Sequence, residues 1–387
     1  MRVFLSCLVC RIVTFVLHKL GRGATSMPGK VALKVKRNVL KDLSQNTKVI
    51  VVTGTNGKTT SCRILEEGLK KAGKSYFINK SGANLITGVT ASFIMNSTIT
   101  GKCKKDYAII ECDENAFKEV SRYIHCDVIL VTNVFRDQLD RYGEVTHTLN
   151  AIKESVKNLP NAIVCLDADC SLTYSMSKEI PNKIITFGVN VPFDKNAKAP
   201  EISDAKYCIF CKHEYDYTYH TYGHLGGFVC PNCGYKRPQP DFAVESVEEM
   251  KNDHSVVVAN LNGDRNIIRV NIGGAYNIYN AIGCAAALTA FGIDEKTVID
   301  AIEHFNGAFG RMEHFKAGDN TVNLILVKNP AGFSQTMNFL KNIDDDFTLI
   351  LSLNDNAADG RDISWIWEVD FPGIFEKVNV NEMYVTG

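Results

Sequence analysis

The sequence predicts an α/β protein built on a mainly parallel sheet, with a small four-cysteine module inserted in it and a smaller α/β domain after it. Three observations predict this. From residue 48 onward, short apolar runs alternate with helix-patterned segments, the rhythm of strands covered on both faces by helices. The glycine-rich stretch TGTNGKTT, residues 53–60, lies between one such run and a helix. At about residue 206 the rhythm breaks into a segment rich in aromatic residues, Gly, Pro and Cys.

The first 45 residues read as an N-terminal helical segment. VFLSCLVCRIVTFVLHKL, residues 3–20, is strongly apolar and leaves three placements open: a helix packed on the protein or skimming a membrane, a membrane anchor, or a secretory signal. Arg11 at its middle and His18 near its end make a spanning placement costly. The basic KVALKVKRNVLK that follows suits either an anionic membrane surface or a solvated helix face.

Residues 46–312 read as the central domain. KVIVVTG is a strand and TTSCRILEEGLKKAG a helix ended by Gly73. YAIIECDE, CDVILVTNV, NAIVCLDAD and KIITFG are further buried strands, SVVVANLNG and NIIRVNI resume the pattern, and AYNIYNAIGCAAALTAFG is a small-residue helix ended by Gly292. The insertion spans 206–238. A new unit, 313–387, follows GRMEHF with strands at NLILVKN and FTLILSLND; because the chain stops at MYVTG, this domain is expected to be incomplete.

Composition bounds the function. The 387 residues carry 43 Lys and Arg against 43 Asp and Glu, which argues against a protein that grips nucleic acid by bulk charge. Of the thirteen cysteines, nine are scattered, several in apolar runs, as expected for reduced thiols in a cytosolic protein.

Gly54, Thr55, Asn56, Gly57, Lys58, Thr59 and Thr60 are the candidate phosphate cradle. Backbone N–H groups and a helix N-terminus would hold phosphate oxygens, Lys58 the terminal phosphates, and the Thr59 hydroxyl a Mg²⁺ ion. Val52 occupies the first glycine position, so the strict GxxxxGK[ST] pattern fails by one residue. Glu111 ends a buried strand, where acids face the ligand crevice, and is a second magnesium candidate. Asp113 and Glu114 read equally well as helix N-caps. Asn133, Asp137 and Asp140 would share the same sheet edge.

Cys208 and Cys211, then Cys230 and Cys233, form two CxxC pairs 18 residues apart, the spacing of a structural zinc ribbon. His213, His220 and His224 are alternative ligands, but four thiolates suffice and close the site to catalysis.

TGTNGKTT, the strand ending in Glu111, TNVFRDQLD, NIYNAIGCAAA and GRME occur in the order found in the Mur ligase superfamily, which this chain resembles and which includes folylpolyglutamate synthase. The superfamily's usual DHLD stands here as Asp137-Gln138-Leu139-Asp140, which removes one histidine contact. The inserted ribbon, KNPAGFSQTM and NDNAADGRDISWIWEVDF are similar to the MurT family, the ligase subunits of bacterial lipid II isoglutaminyl synthases. That resemblance implies a cytoplasmic bacterial ligase using ATP and Mg²⁺, working at the inner face of the plasma membrane on lipid II and converting its D-Glu α-carboxylate to the amide through an acyl phosphate. It implies a heterodimer with a GatD-type glutaminase that supplies ammonia. It places Asn280 against adenine and Arg311 at the nucleotide, and makes Asp355, or else Asp359, the acid that completes the partner's catalytic dyad. The competing readings are a folylpolyglutamate-synthase-like ligase, a zinc-ribbon ATPase that binds nucleic acid, and an inert zinc-binding scaffold.

Overall fold

The structure is a computed structural model. It describes residues 1–21, 26–79, 83–135, 144–193, 204–251, 253–305, 311–327, 346–354 and 380–386, together with scattered positions between 332 and 371. Asp137, Gln138, Asp140, Asp355 and Asp359 lie outside the described residues.

The apolar runs form strands because each is rich in β-branched residues and hidden on both faces. They are β1 (Lys48–Thr53), β2 (Tyr76–Ile78), β3 (Tyr107–Glu111), β4 (Val128–Val131), β5 (Ile163–Asp167) and β6 (Ile184–Val189). Two short strands, β7 (Asp216–His220) and β8 (Gly226–Val229), pair with each other in the inserted module, and β9 (Phe242–Met250), β10 (Ser255–Leu261) and β11 (Asp264–Val270) follow. The main sheet has nine strands in the order β11-β10-β9-β6-β5-β4-β1-β3-β2. From β2 to β9 every pairing is parallel; β9-β10 and β10-β11 are antiparallel and finish one edge. That antiparallel edge and the strands β2 and β9 are additions to the pattern read from the sequence. β2 is only three residues long, and β9 carries acids at Glu245, Glu248 and Glu249 that break an apolar run.

Helices cover both faces. α1 (Arg2–Lys19), α2 (Met27–Val35) and α3 (Val39–Ser44) precede β1, and Cys7, Cys10, Ala32, Val39, Leu40 and Leu43 from them join the same apolar core as the sheet. Arg11 does not meet lipid: its guanidinium donates to the carbonyls of Ile94 (3.2 Å) and Ser97, at the C-terminal end of α5 (Ile86–Met95), where the helix dipole favours a cation. Among the described residues no helix is long and apolar enough to cross a membrane. α4 (Lys58–Lys71) runs from the glycine-rich loop. The elements α6 (Glu114–Val120), α7 (Glu144–Lys157) and α8 (Ser171–Ser175) follow in the central part, and α9 (Ala275–Ala290) and α10 (Glu295–Glu303) come after the sheet is complete. α9 is buried almost throughout, as its alanine-rich sequence allows, and it lies so close to α4 that a Cβ on Gly68 would fall 2.5 Å from Leu288.

Residues 311 onward build two small sheets, β12 (Arg311–Ala317) with β13 (Asn320–Ile325), antiparallel, and β14 (Phe347–Ser352) with β15 (Val380–Thr386), parallel. Phe333, Met337, Leu340 and Val369 form their own apolar cluster.

One polar knot ties the layers. The Asp169 carboxylate, just past β5, accepts from Arg237 Nε at 2.6 Å, from the Tyr279 hydroxyl on α9 at 2.5 Å, and from the Val189 amide at 2.8 Å. Arg237, which lies in the locally basic KRPQP, is therefore spent on the protein interior rather than offered to a polyanion. Asp167 lies beside this pair with no cation of its own; burial and the Asp169 charge push its pKa up. Arg237→Ala leaves a buried carboxylate unpaired and is expected to cost about 3–5 kcal/mol. A denaturation midpoint equal to that of the unaltered protein would show that the pair is not a keystone.

Candidate functional site

The site is built at the carboxyl ends of β1, β3 and β4, where a parallel sheet opens its crevice. β1 ends at Thr53 and the chain turns through Gly54 at φ +121° and Gly57 at φ +86° before α4 begins at Lys58. Both glycines are required. A Cβ on Gly54 would lie 2.4 Å from Thr132 Oγ1 and one on Gly57 2.2 Å from Asn280 Oδ1, and both backbones are left-handed. With β1 on one side and α4 on the other, the Val52 departure from the strict pattern leaves the strand–loop–helix context intact.

The floor of the loop comes from the end of β4. The Thr55 amide donates to Asn133 O at 2.9 Å and the Asn56 amide to Asn133 Oδ1 at 3.0 Å. Asn133 Nδ2 and Thr132 Oγ1 donate back to Asn56 O at 3.2 and 2.7 Å. The buried Asn133, which the sequence placed only at the sheet edge, is thus the chief clamp on the loop.

Two side-chain pairs carry the charge. Lys58 Nζ lies 2.7 Å from Glu114 Oε1 and also donates to Gly54 O (2.6 Å) and Thr55 O (3.2 Å). Burial raises the Glu114 pKa and the adjacent Lys58 charge opposes that rise. From sequence, Asp113 and Glu114 read either as acids facing the crevice or as helix caps. Asp113 does the capping, accepting from the Asn115 and Ala116 amides, and this frees Glu114 to pair with the lysine. In the second pair, Thr59 Oγ1 donates to Glu111 Oε1 at 3.0 Å. A hydroxyl and a carboxylate held this close at the loop are hard oxygen donors of the kind Mg²⁺ takes, so the residues fit that ion. Thr60, the next residue, is buried in α4.

Asn280 is buried on α9, donates to Asn277 Oδ1 at 3.0 Å, and sets its own Oδ1 against Gly57, so α9 closes the loop from behind. Arg311 opens β12, and its side chain lies outside the described residues.

The inserted module brings Cys208, Cys211, Cys230 and Cys233 together with their sulfurs within 4.8 Å of one another, and none of the three nearby histidines joins them. The two CxxC turns repeat the same hydrogen bonds. The amide after the second cysteine donates to the first cysteine's carbonyl, Lys212 to Cys208 at 2.9 Å and Gly234 to Cys230 at 3.0 Å. The first cysteine's amide donates to His213 O at 2.7 Å and to Tyr235 O at 2.8 Å. Lys212 and Gly234 both have positive φ. Hydrogen bonds from Asn232 and from the backbone at His213 lower the Cys211 thiol to about 6. Such a thiolate cluster could hold one tetrahedral metal ion. The other nine cysteines are unpaired and mostly buried, and burial raises the thiol pKa of eight of them.

The module also touches the loop's support. Phe135, whose carbonyl and amide both bond the Thr55 hydroxyl at 3.1 Å, stacks on Tyr222 at 5.7 Å and meets the buried His224 at 4.5 Å. No local sequence signal marks these contacts, because each joins segments some 80 residues apart.

Comparison with known proteins now bears on this geometry. Residues 52–225 match the Mur ligase middle domain and residues 326–387 the MurT ligase C-terminal domain. The chain is 37% identical over 374 residues to the lipid II isoglutaminyl synthase (glutamine-hydrolyzing) subunit MurT of Streptococcus pneumoniae, covering 97% of this chain and 82% of that protein. It is 32% identical over 368 residues to the Staphylococcus aureus subunit of the same name, covering 95% and 81%. In fold it is similar to MurF from Acinetobacter baumannii, with a TM-score of 0.67 and 16% identity over 94% of this chain and 66% of that one.

Gly57→Ala tests the loop. The left-handed backbone alone costs an L-residue about 1–2 kcal/mol, before any displacement of the buried Asn280, so the folded protein is expected to lose at least that much stability and ATP affinity to fall roughly tenfold or more as the loop shifts. Calorimetric titration checks this, and an unchanged affinity would mean that the left-handed turn is not part of the nucleotide site.

Proposed function

The chain belongs to the MurT family of Mur ligases, and from that premise we propose that it is the ATP-dependent ligase subunit that amidates the D-Glu α-carboxylate of the lipid II stem peptide. The observation that carries this reading furthest is the paired arrangement of Lys58 with Glu114 and Thr59 with Glu111 on one glycine-rich loop. A folylpolyglutamate-synthase-like activity is disfavoured by the match of residues 326–387 to the MurT C-terminal domain.

A carboxylate has no leaving group, and its phosphorylation supplies one. The substrate carboxylate oxygen attacks the γ-phosphorus of ATP, the bond to the β-phosphate oxygen breaks, and ADP leaves. Ammonia then attacks the acyl carbon, phosphate departs with the C–O bond electrons, and the nitrogen loses a proton to give the amide. Lys58, released from Glu114, neutralises the transferring phosphoryl, and the amides of Gly57 and of the start of α4 bind its oxygens. Glu114 keeps the ammonium inside the crevice until it is needed. Thr59 and Glu111 would hold Mg²⁺, which supplies charge neutralisation for the phosphates when bound. Asn280 is assigned to adenine and Arg311 to the nucleotide from the domain junction. The partner is a GatD-type glutaminase that supplies the ammonia, and Asp355 (second, Asp359) orients the histidine of its catalytic dyad. The site is cytoplasmic, at the membrane face that carries lipid II. The four-cysteine cluster holds zinc as a structural ion.

Two expected outcomes test this. In an assay with lipid II and ATP, Lys58→Ala should cut amidation by about 10²–10³ whether nitrogen comes from free ammonia or from glutamine and the glutaminase. Asp355→Asn should cut the glutamine-driven reaction by about 10⁴ and spare the ammonia-driven one. Equal loss with both nitrogen sources would move Asp355 into the ligase site or the fold, and normal amidation by Lys58→Ala would sink the loop assignment.

The metal is tested separately. Elemental analysis should find one zinc per chain, and Cys211→Ser should lose it and loosen the module, because metal binding is coupled to folding in such modules. Metal-free protein that is fully folded would refute the structural role.

A further inference from the structure

α1 is inside out by the ordinary rule for a surface helix. The side it turns to the protein is made of small or polar residues, Ser6, Cys7, Cys10 and Thr14, all buried. Ser6 bonds the Ala32 carbonyl at 2.8 Å and Thr14 the Cys10 carbonyl at 2.9 Å. The side it turns outward holds Phe4, Leu5, Ile12, Phe15, Val16 and Leu20, with Phe15 61% and Leu20 65% exposed. Leaving so many large apolar side chains in water along one helix is unfavourable, and a contiguous patch of this kind marks a contact surface.

Charge says what the contact is. Nine of the chain's 43 Lys and Arg, and none of its 43 Asp and Glu, fall in the first 41 residues. The rest of the chain is therefore net acidic. The Lys19 ammonium sits over the exposed Phe15 ring at 5.0 Å, which puts a cation on the apolar face itself. Lys30, Lys34, Arg37 and Lys41 are exposed on and just beyond α2, beside the exposed Met27. An apolar stripe flanked by cations, on a chain whose remainder repels anions, fits an anionic lipid surface and would orient the molecule on it.

We propose that α1 is an interfacial docking helix that lies flat on an anionic bilayer, Phe4, Ile12 and Phe15 inserted between headgroups and the basic residues of α2 against lipid phosphates. It lies on the surface and does not cross, because Arg11 is bound to the Ile94 and Ser97 carbonyls and would have to abandon them to enter the bilayer. This inference does not depend on the substrate or the nitrogen donor assigned above.

The test is co-sedimentation of the full chain with vesicles of phosphatidylcholine containing phosphatidylglycerol, against vesicles of phosphatidylcholine alone. Binding is expected to the anionic vesicles and to weaken steeply with salt. The double variant Phe4→Glu/Phe15→Glu should bind at least about tenfold more weakly. Lys30→Ser/Lys34→Ser should lose about fivefold for each lysine and give a second arm if the first variant folds poorly. Thermal unfolding and ATP turnover in solution should be unchanged in the lysine variant. Absent binding to anionic vesicles, equal binding to both vesicle types, or full binding by the phenylalanine variant would overturn the proposal. A concentration-dependent dimer, or a complex with the glutaminase, that the phenylalanine variant loses while vesicles bind neither protein would overturn it too and assign the face to a protein contact.

Discussion

A single carboxylate holds the central part of this molecule in register. Asp169 follows β5, and its partners are Arg237 from the end of the inserted module, Tyr279 from α9 and the Val189 amide from the end of β6. The two oxygens of one side chain thus fix a strand, an insertion and the helix that backs the glycine-rich loop. The charge is sustainable in a dry interior because the largely buried guanidinium pairs with the fully buried acid and because hydroxyl and amide donors complete its coordination. The neighbouring Asp167 shares that single cation, and burial together with the Asp169 charge pushes its pKa up.

From that knot the loop inherits its shape by contact rather than by local preference. Asn133 and Thr132 hold it from below, Asn280 limits it from behind, and Phe135 links it to Tyr222 and His224 of the inserted module. The module that carries the four cysteines leans on Phe135, the residue that bonds the Thr55 hydroxyl. The insertion thereby buttresses the residue that supports the glycine-rich loop. His224 illustrates how closed that junction is. Burial lowers its pKa to about 4, so it stays uncharged beside Phe135 and Cys170.

What could be read from the sequence follows a physical divide. Strands hidden on both faces announce themselves as apolar runs, so β1, β3, β4, β5, β6 and β10 were legible, the exposed edge strand β11 showed through its β-branched residues, and α4 and α9 through their period and their terminal glycines. The loop glycines and the four cysteines were legible because their chemistry is local, set by spacings of a few residues. Roles fixed by distant partners were hidden. Glu114 read as a crevice acid or a cap alike until Asp113 was seen to do the capping, and Asn133 looked like one more residue at a sheet edge. Asp169 and Arg237 carried no mark of their pairing across 68 residues. The N-terminal helix packs on the protein, one of the placements its sequence left open, but which side is buried was not legible: α1 buries its cysteines and serine while its phenylalanines face outward.

The loop that begins at residue 53 is complete only when α9, more than 220 residues later, lies against it: Cys284 bonds the Ser61 carbonyl, and Asn280 abuts Gly57. Sequence separation of that size makes closure a late event in folding, since the intervening chain must be ordered before the contact is favourable. On the ribosome, the chain emerges with β1 and α4 long before the helix that shields them. Until then the apolar face of α4, with Ile64, Leu65 and Leu69, has no cover on the α9 side. A ligand of this loop cannot nucleate the fold early, because the cradle is not closed until α9 docks. Competence to bind ATP is thus coincident with completion of the core, and a chain interrupted before residue 290 would expose surface without gaining a ligand to stabilise it.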